Sequence, residues 1–370
     1  MNNMEVKKNN RNRIFRYICL CDRASNPEIA YELKMSLPTV TQNTKELLER
    51  GLIEEVGEFE STGGRRAKAF SLLANKKLAI GLDITKNHVG FLIANLRGEV
   101  LDYERLHFPY KADESYYEEL NKKLELFLSK NSIERDKILG IGISFPGIVD
   151  LDRQLVSYSH MLGLKALKFN TISAFFEYPC YFVNDANAGA YAEGISRRDR
   201  KNFFYLSLSN TVGGAVFADD KLTQGENFRC GEVGHMTILP DGEECYCGQL
   251  GCVDVYCSAK KLSDSKNGKL EAFFEALDEN DREAQKIWND YTNYLSIAIN
   301  NIHMVLDCDI MLGGYVGSFL ENHLEDIRLK VVKRNTFSED GKFIQLCKYK
   351  VGAAALGAAL KIIEAFISEV

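Results

Sequence analysis

The sequence predicts an α/β protein in two unequal parts, a winged helix–turn–helix head over residues 1–75 and a two-lobed body over residues 76–370. Three observations predict it. Helical periodicity runs up to Gly51 and then gives way to two short strand-like stretches around a glycine-containing tip. From Lys77, three strand-like runs, a helix around 114–130 and the buried strand "ILGIGISFP" follow one another. That βββαβα theme returns in the second half, from "NFFYLSLS" through long helices around 258–307 to the strand "CDIMLGG" and a small-faced final helix. Two such repeats with glycine-rich turns describe two lobes with a cleft between them.

Each element of the head has a local reason. "RNRIFRYICLC" places Ile14, Phe15, Ile18 and Cys19 on one helical face. Asn26 is read as the N-cap of the next helix, with Pro27 at the first helical position, where a missing N–H costs nothing. Ser36 caps the third helix, in which Val40, Thr44, Leu47 and Leu48 face inward, and Gly51 ends it. A winged helix–turn–helix lays this helix in the major groove. Its outward set is Ser36, Pro38, Thr39, Thr41, Gln42, Asn43 and Lys45, short or amide-bearing side chains suited to base edges and phosphates. Arg65, Arg66 and Lys68 at the hairpin tip are placed for the neighbouring DNA backbone or minor groove. On this segment alone, the competing reading is a three-helix interaction domain with a solvated polar face.

Composition narrows the class. Hydrophobic content of 45% and charged content of 26% are those of an ordinary globular protein. The net charge of −6 divides unevenly: residues 1–75 hold 12 Lys and Arg against 10 Asp and Glu, so the remainder carries −8. A slightly basic head on an acidic body fits a head that meets an acidic partner. The N-terminus has no stretch resembling a signal peptide, and no uncharged apolar run is long enough to span a membrane. The expected compartment is the cytoplasm, where thiols stay reduced.

That compartment decides how to read "GHMTILPDGEECYCGQLGCVDVYCS", which holds four of the chain's ten cysteines. A disulfide cluster is disfavoured. His235, Cys245, Cys247 and Cys252 give an H-x9-C-x-C-x4-C spacing, three thiolates and one imidazole, which fills a four-coordinate Zn2+ as a closed structural site. Cys257 is read as a separate, buried cysteine.

"CGEVGHM" followed by "CYCGQLGCVDVYCS", together with "FVNDANAGAYAEG", "GISFPGIVD" and "IMLGG", resembles the signatures of the ROK family of repressors and sugar kinases. With the head in front, the resemblance covers nearly the whole chain and points to the repressor branch, of the xylose- or N-acetylglucosamine-responsive type. It implies an actin-like (RNase H-like) two-lobed sugar-kinase fold with a sugar or sugar phosphate in the cleft. Asp185 matches the general base of the kinase members. Asn184, Glu232 and His235 match sugar-binding positions, His235 also beginning the metal motif. Asp254 stands at the next sugar ligand, where the family has a Glu. Three departures concern ATP: no glycine follows Asp83 in "DITKNH", "SNTVGGA" keeps only Gly213 and Gly214, and Tyr315 follows "IMLGG". The resemblance with these losses implies a sugar-responsive repressor, a homodimer or a larger oligomer such as a tetramer, bound to operator DNA, with Asp185 a vestigial base. The alternatives are an ATP-dependent sugar kinase with an N-terminal extension, and a regulator controlled by a protein partner.

Overall fold

The computed structural model describes residues 3–59, 67–197 and 202–370. The head comprises helices Asn3–Leu20, Asn26–Leu33 and Leu37–Glu49 and a three-stranded sheet. Strand Lys68–Leu72 pairs antiparallel with both Ile53–Glu58 and the short strand Ala24–Ser25, which the sequence did not reveal. Ile14, Phe15, Ile18, Ile29, Val40 and Leu47 are fully buried and form its core. The second helix is capped by Ser25, not Asn26. Ser25 accepts from the Glu28 N–H while the Glu28 carboxylate accepts from the Ser25 N–H, a reciprocal capping box that leaves Asn26 inside the first turn.

The two lobes repeat one topology. In the first, Leu78–Ile84, His88–Asn95 and Val100–His107 form an antiparallel meander. Ile138–Phe145 and Cys180–Asn184 then add parallel to the first strand's other edge. The second lobe does the same with Phe203–Leu208, Val212–Ala218 and Lys221–Thr223, followed by the parallel strands Asp309–Gly313 and Ile344–Leu346. A further antiparallel sheet of Ile148–Asp150, Leu155–Ser159 and Leu164–Lys168 stands beside the cleft.

The final helix, Ala353–Glu369, joins these parts. It packs on the first lobe so closely that a Cβ on Gly142 would lie 2.0 Å from the Ala358 carbonyl oxygen, which is why its face is alanine and glycine. Its far end grips the head: Arg16 pairs with Glu364, Asn12 donates to the Ser368 carbonyl at 2.8 Å and Arg50 to the Val370 carbonyl at 3.1 Å. Leu360, Ile363 and Ile367 continue the head's apolar core into the body. No helix among the described residues is long and apolar enough to cross a membrane.

Candidate functional site

Between the lobes lies a cavity of about 220 Å³ lined by Gly147, Asn184, Asp185, Glu232 and His235, so four of the five predicted sugar residues converge. Strand Cys180–Asn184 ends at this point and helix Asp185–Ser196 begins. Asn184 is that helix's N-cap: its Oδ1 accepts from the Asn187 N–H at 3.0 Å and its Nδ2 donates to the Gly147 carbonyl at 2.9 Å. One amide N–H and one lone pair remain for a ligand. Gly234 lets the opposite wall come close, since a Cβ there would sit 2.0 Å from the Val212 carbonyl oxygen. Tyr158, His160, Arg229 and Tyr246 also line the cavity. Sequence reasoning missed them because Tyr158, His160 and Arg229 lie outside the quoted motifs, and in the cysteine motif Tyr246 reads only as a spacer between ligands.

The electrostatics suit a polyhydroxyl ligand. Burial, reinforced by the nearby Asp83 and Glu232 carboxylates, pushes Asp185 up to about 7. Burial also raises Glu232, and raises Asp83 against the hydrogen bond that Asp83 accepts from Ser144 at 2.8 Å. Sugar hydroxyls supply the donors that such desolvated carboxylates lack. A carboxyl titrating near neutrality is also what a general base needs, so Asp185 alone does not separate sensing from catalysis.

Asp254 departs from the expectation. It is 3% exposed, lies outside the cavity lining, and accepts the Val212 N–H at 3.0 Å, with the Tyr246 phenol against the same carboxylate. An aspartate is one methylene shorter than a glutamate, and its reach ends at the strand behind the cavity.

The predicted metal ligands come together. One donor atom from each of His235, Cys245, Cys247 and Cys252 lies within 4.8 Å of all the others. Cys247 and Cys252 sulfurs are 3.8 Å apart, far beyond a disulfide and close to the ~3.8 Å edge of a tetrahedron with Zn–S bonds of ~2.3 Å. The His235 Nδ1 faces the Cys245 sulfur at 3.9 Å, and the same residue lines the cavity. Cys257 is fully buried and outside this cluster.

A second cavity, about 510 Å³, adjoins the first and shares Asp185 with it. Several backbone N–H groups in and beside its loops have internal partners. In the turn after Asp83, the Thr85 N–H donates to the His88 carbonyl at 2.9 Å and the His88 N–H to the Thr85 hydroxyl at 3.1 Å. In "SNTVGGA", the Ser209 N–H donates to the Thr211 carbonyl and the Val212 N–H to Asp254. Tyr315 crosses the cavity: Arg105 of the other lobe donates to its hydroxyl at 2.7 Å and lies 4.9 Å from its ring centre.

On the head, Ser36 caps the third helix, accepting from the Thr39 N–H, and Pro38, Thr41, Gln42 and Lys45 are exposed beside it, with Thr39 half-buried. Asn43 is a correction. It is 2% exposed and donates to the Thr39 carbonyl at 2.8 Å, on the inward stripe with Val40, Thr44 and Leu47. Arg65 and Arg66 lie outside the described residues. Lys68 pairs with Glu55 at 2.8 Å.

Comparison with known proteins decides the family. The ROK family profile matches residues 79–364, and a winged helix-turn-helix DNA-binding profile matches residues 8–54. The chain belongs to the ROK family. Among ROK relatives, the xylose repressor of Bacillus subtilis is 27% identical over 376 residues, covering 98% of this chain and 97% of the relative. The transcriptional dual regulator NagC of Escherichia coli is 26% identical over 254 residues, 67% of this chain and 62% of the relative. A solved ROK family transcriptional regulator, described as a homologue of the Escherichia coli MLC protein, covers 98% of this chain and 97% of its own, with TM-score 0.79 and 21% identity. A ROK glucokinase from Streptomyces griseus, solved with glucose and AMPPNP, covers 77% of this chain and 98% of its own, with TM-score 0.65 and 20% identity. The two folds agree with a winged head on an actin-like sugar-kinase body.

Proposed function

We propose that this ROK protein is a transcriptional repressor of carbohydrate-metabolism genes whose body binds a sugar without phosphorylating it. The observation that carries the reading is the contrast inside the cleft. Four side chains matching sugar-binding positions converge on one cavity, while in the neighbouring cavity the Thr85, His88 and Ser209 N–H groups are held by their own loops and Tyr315 crosses the space. In this reading Asn184, Asp185, Glu232 and His235 hold the sugar, and Asp185 accepts a hydroxyl proton as a hydrogen bond and does not abstract it. His235, Cys245, Cys247 and Cys252 hold a structural zinc, which when bound fixes the loop carrying His235.

Two copies of the chain present two heads to a palindromic operator, with Ser36, Pro38, Thr39, Thr41, Gln42 and Lys45 toward the groove and Arg65 and Arg66 toward the backbone. The final helix is the connection: it packs against the helix that starts at Asp185, and its last turns hold the head. A sugar shifts operator affinity only if it binds the two arrangements of the lobes differently. Linkage then requires operator DNA to change sugar affinity by the same factor, typically about 5- to 150-fold. Calorimetric titration of D-xylose, D-glucose and N-acetylglucosamine with and without operator tests this. A reciprocal shift for one of them supports the reading, whereas sugar binding of equal affinity in both titrations removes it.

A further inference from the structure

Tyr246 stands where the predicted sugar ligand Asp254 does not reach. Its neighbours on either side, Cys245 and Cys247, belong to the metal cluster, so the loop that holds the metal also fixes the tyrosine. The side chain lines the cavity and is 50% exposed, at the mouth. From the other lobe, His160 follows strand Leu155–Ser159 and is oriented by a 3.0 Å hydrogen bond between its Nδ1 and the Tyr158 hydroxyl. The His160 ring centre is 5.2 Å from that of Tyr246 and 5.9 Å from that of His235, and Tyr246 and His235 are 5.4 Å apart. These are contact separations for rings, so the three close one side of the mouth without a gap between them.

Resting on the sugar-sensor reading, we infer that Tyr246 has taken the sugar contact that Asp254 gives up, and that Tyr246 and His160 together select a neutral monosaccharide without a bulky ring substituent. The division of labour follows from chemistry. Asp254 ties Val212 and accepts a hydrogen bond from the phenol, which leaves the phenol oxygen to accept from a sugar hydroxyl and the ring to offer a flat face to the C–H side of a sugar. Asn184, Asp185 and Glu232, which line the same cavity, take the hydroxyls. A substituent such as an N-acetyl group on the aromatic side has to part His160 from Tyr246.

Calorimetry on the zinc-loaded full chain, with D-xylose, D-glucose and N-acetylglucosamine as probes, tests this. The wild type is expected to bind one of the two unsubstituted sugars at least tenfold more tightly than N-acetylglucosamine. Tyr246→Phe, which keeps the ring and removes the hydroxyl, should weaken that sugar about tenfold at unchanged zinc content. His160→Ala, at an exposed position, should narrow the discrimination severalfold. Wild-type affinity in Tyr246→Phe, or a preference of the wild type for N-acetylglucosamine, overturns the inference while leaving the sensor reading standing. Failure of the wild type to bind any of the three sugars removes the sensor reading and this inference with it.

Discussion

On the sugar side of the cleft, polar groups face an open cavity with few partners of their own; on the nucleotide side, polar groups face one another. Asn184, Asp185 and Glu232 surround about 220 Å³, and burial raises both carboxylates. Across Asp185, the larger cavity of about 510 Å³ is bordered by a turn tied by Thr85 and His88 and by Ser209, whose N–H donates to the Thr211 carbonyl, and is crossed by the Arg105–Tyr315 contact. Volume alone does not make a nucleotide site: in the bigger space the Thr85, His88 and Ser209 N–H groups already have partners within their own loops. Phosphoryl transfer depends on such donors and on placed charge more than on any single base, so one retained carboxylate does not make a kinase.

The largest expected effect comes from the metal loop, which belongs wholly to the sugar side. Cys252→Ser, at a fully buried ligand position, should lose the metal and cost more than ~3 kcal/mol of stability together with sugar binding. Elemental analysis, thermal unfolding and calorimetry read the three effects. Unchanged sugar affinity in the metal-free variant would detach the loop from the site.

Asp185 sharpens the comparison through pH. Its folded pKa is raised from 3.8 to about 7, so the native state binds more protons between those values, and the wild type loses stability as pH rises through that window. Asp185→Asn should remove the loss, gaining on the order of 2–4 kcal/mol at pH 7.5 and nothing at pH 4. Denaturant melts at the two pH values check this, and a gain of equal size at both would assign the effect to packing. Gly234→Ala comes next. Its methyl group meets the Val212 carbonyl oxygen, at an expected cost of about 1–3 kcal/mol and a weakened sugar affinity.

The smallest effect belongs to the Arg105–Tyr315 contact. Arg105→Ala should change stability by less than ~1 kcal/mol and sugar affinity by no more than about twofold. ATP affinity should stay negligible, because the Thr85 and Ser209 N–H groups remain occupied by the His88 and Thr211 carbonyls. Gain of tight ATP binding in this variant would show that the tyrosine alone closes the site.

How far the sequence carried this comparison depends on distance along the chain. The metal loop was legible because its donors fall within eighteen residues and their chemistry restricts what they hold. That no glycine follows Asp83 and that "SNTVGGA" keeps only Gly213 and Gly214 was legible as sequence pattern. Arg105 and Tyr315, or His160 and Tyr246, were not, since each pair meets only when the lobes face one another. Asn43 was misread for a different reason. The period that buries Val40, Thr44 and Leu47 buries it too, and its amide nitrogen donates to the Thr39 carbonyl one turn earlier. Ser25 and Glu28 carried a capping-box signature that Pro27 obscured.

The most direct test of the contrast between the two sides is sugar-dependent ADP release from the zinc-loaded full chain, with excess ATP and magnesium and the same three sugars. The account predicts a rate at background for every sugar, including the one that calorimetry shows to bind. Sugar-dependent turnover that disappears in Asp185→Asn would contradict it and make the protein a kinase.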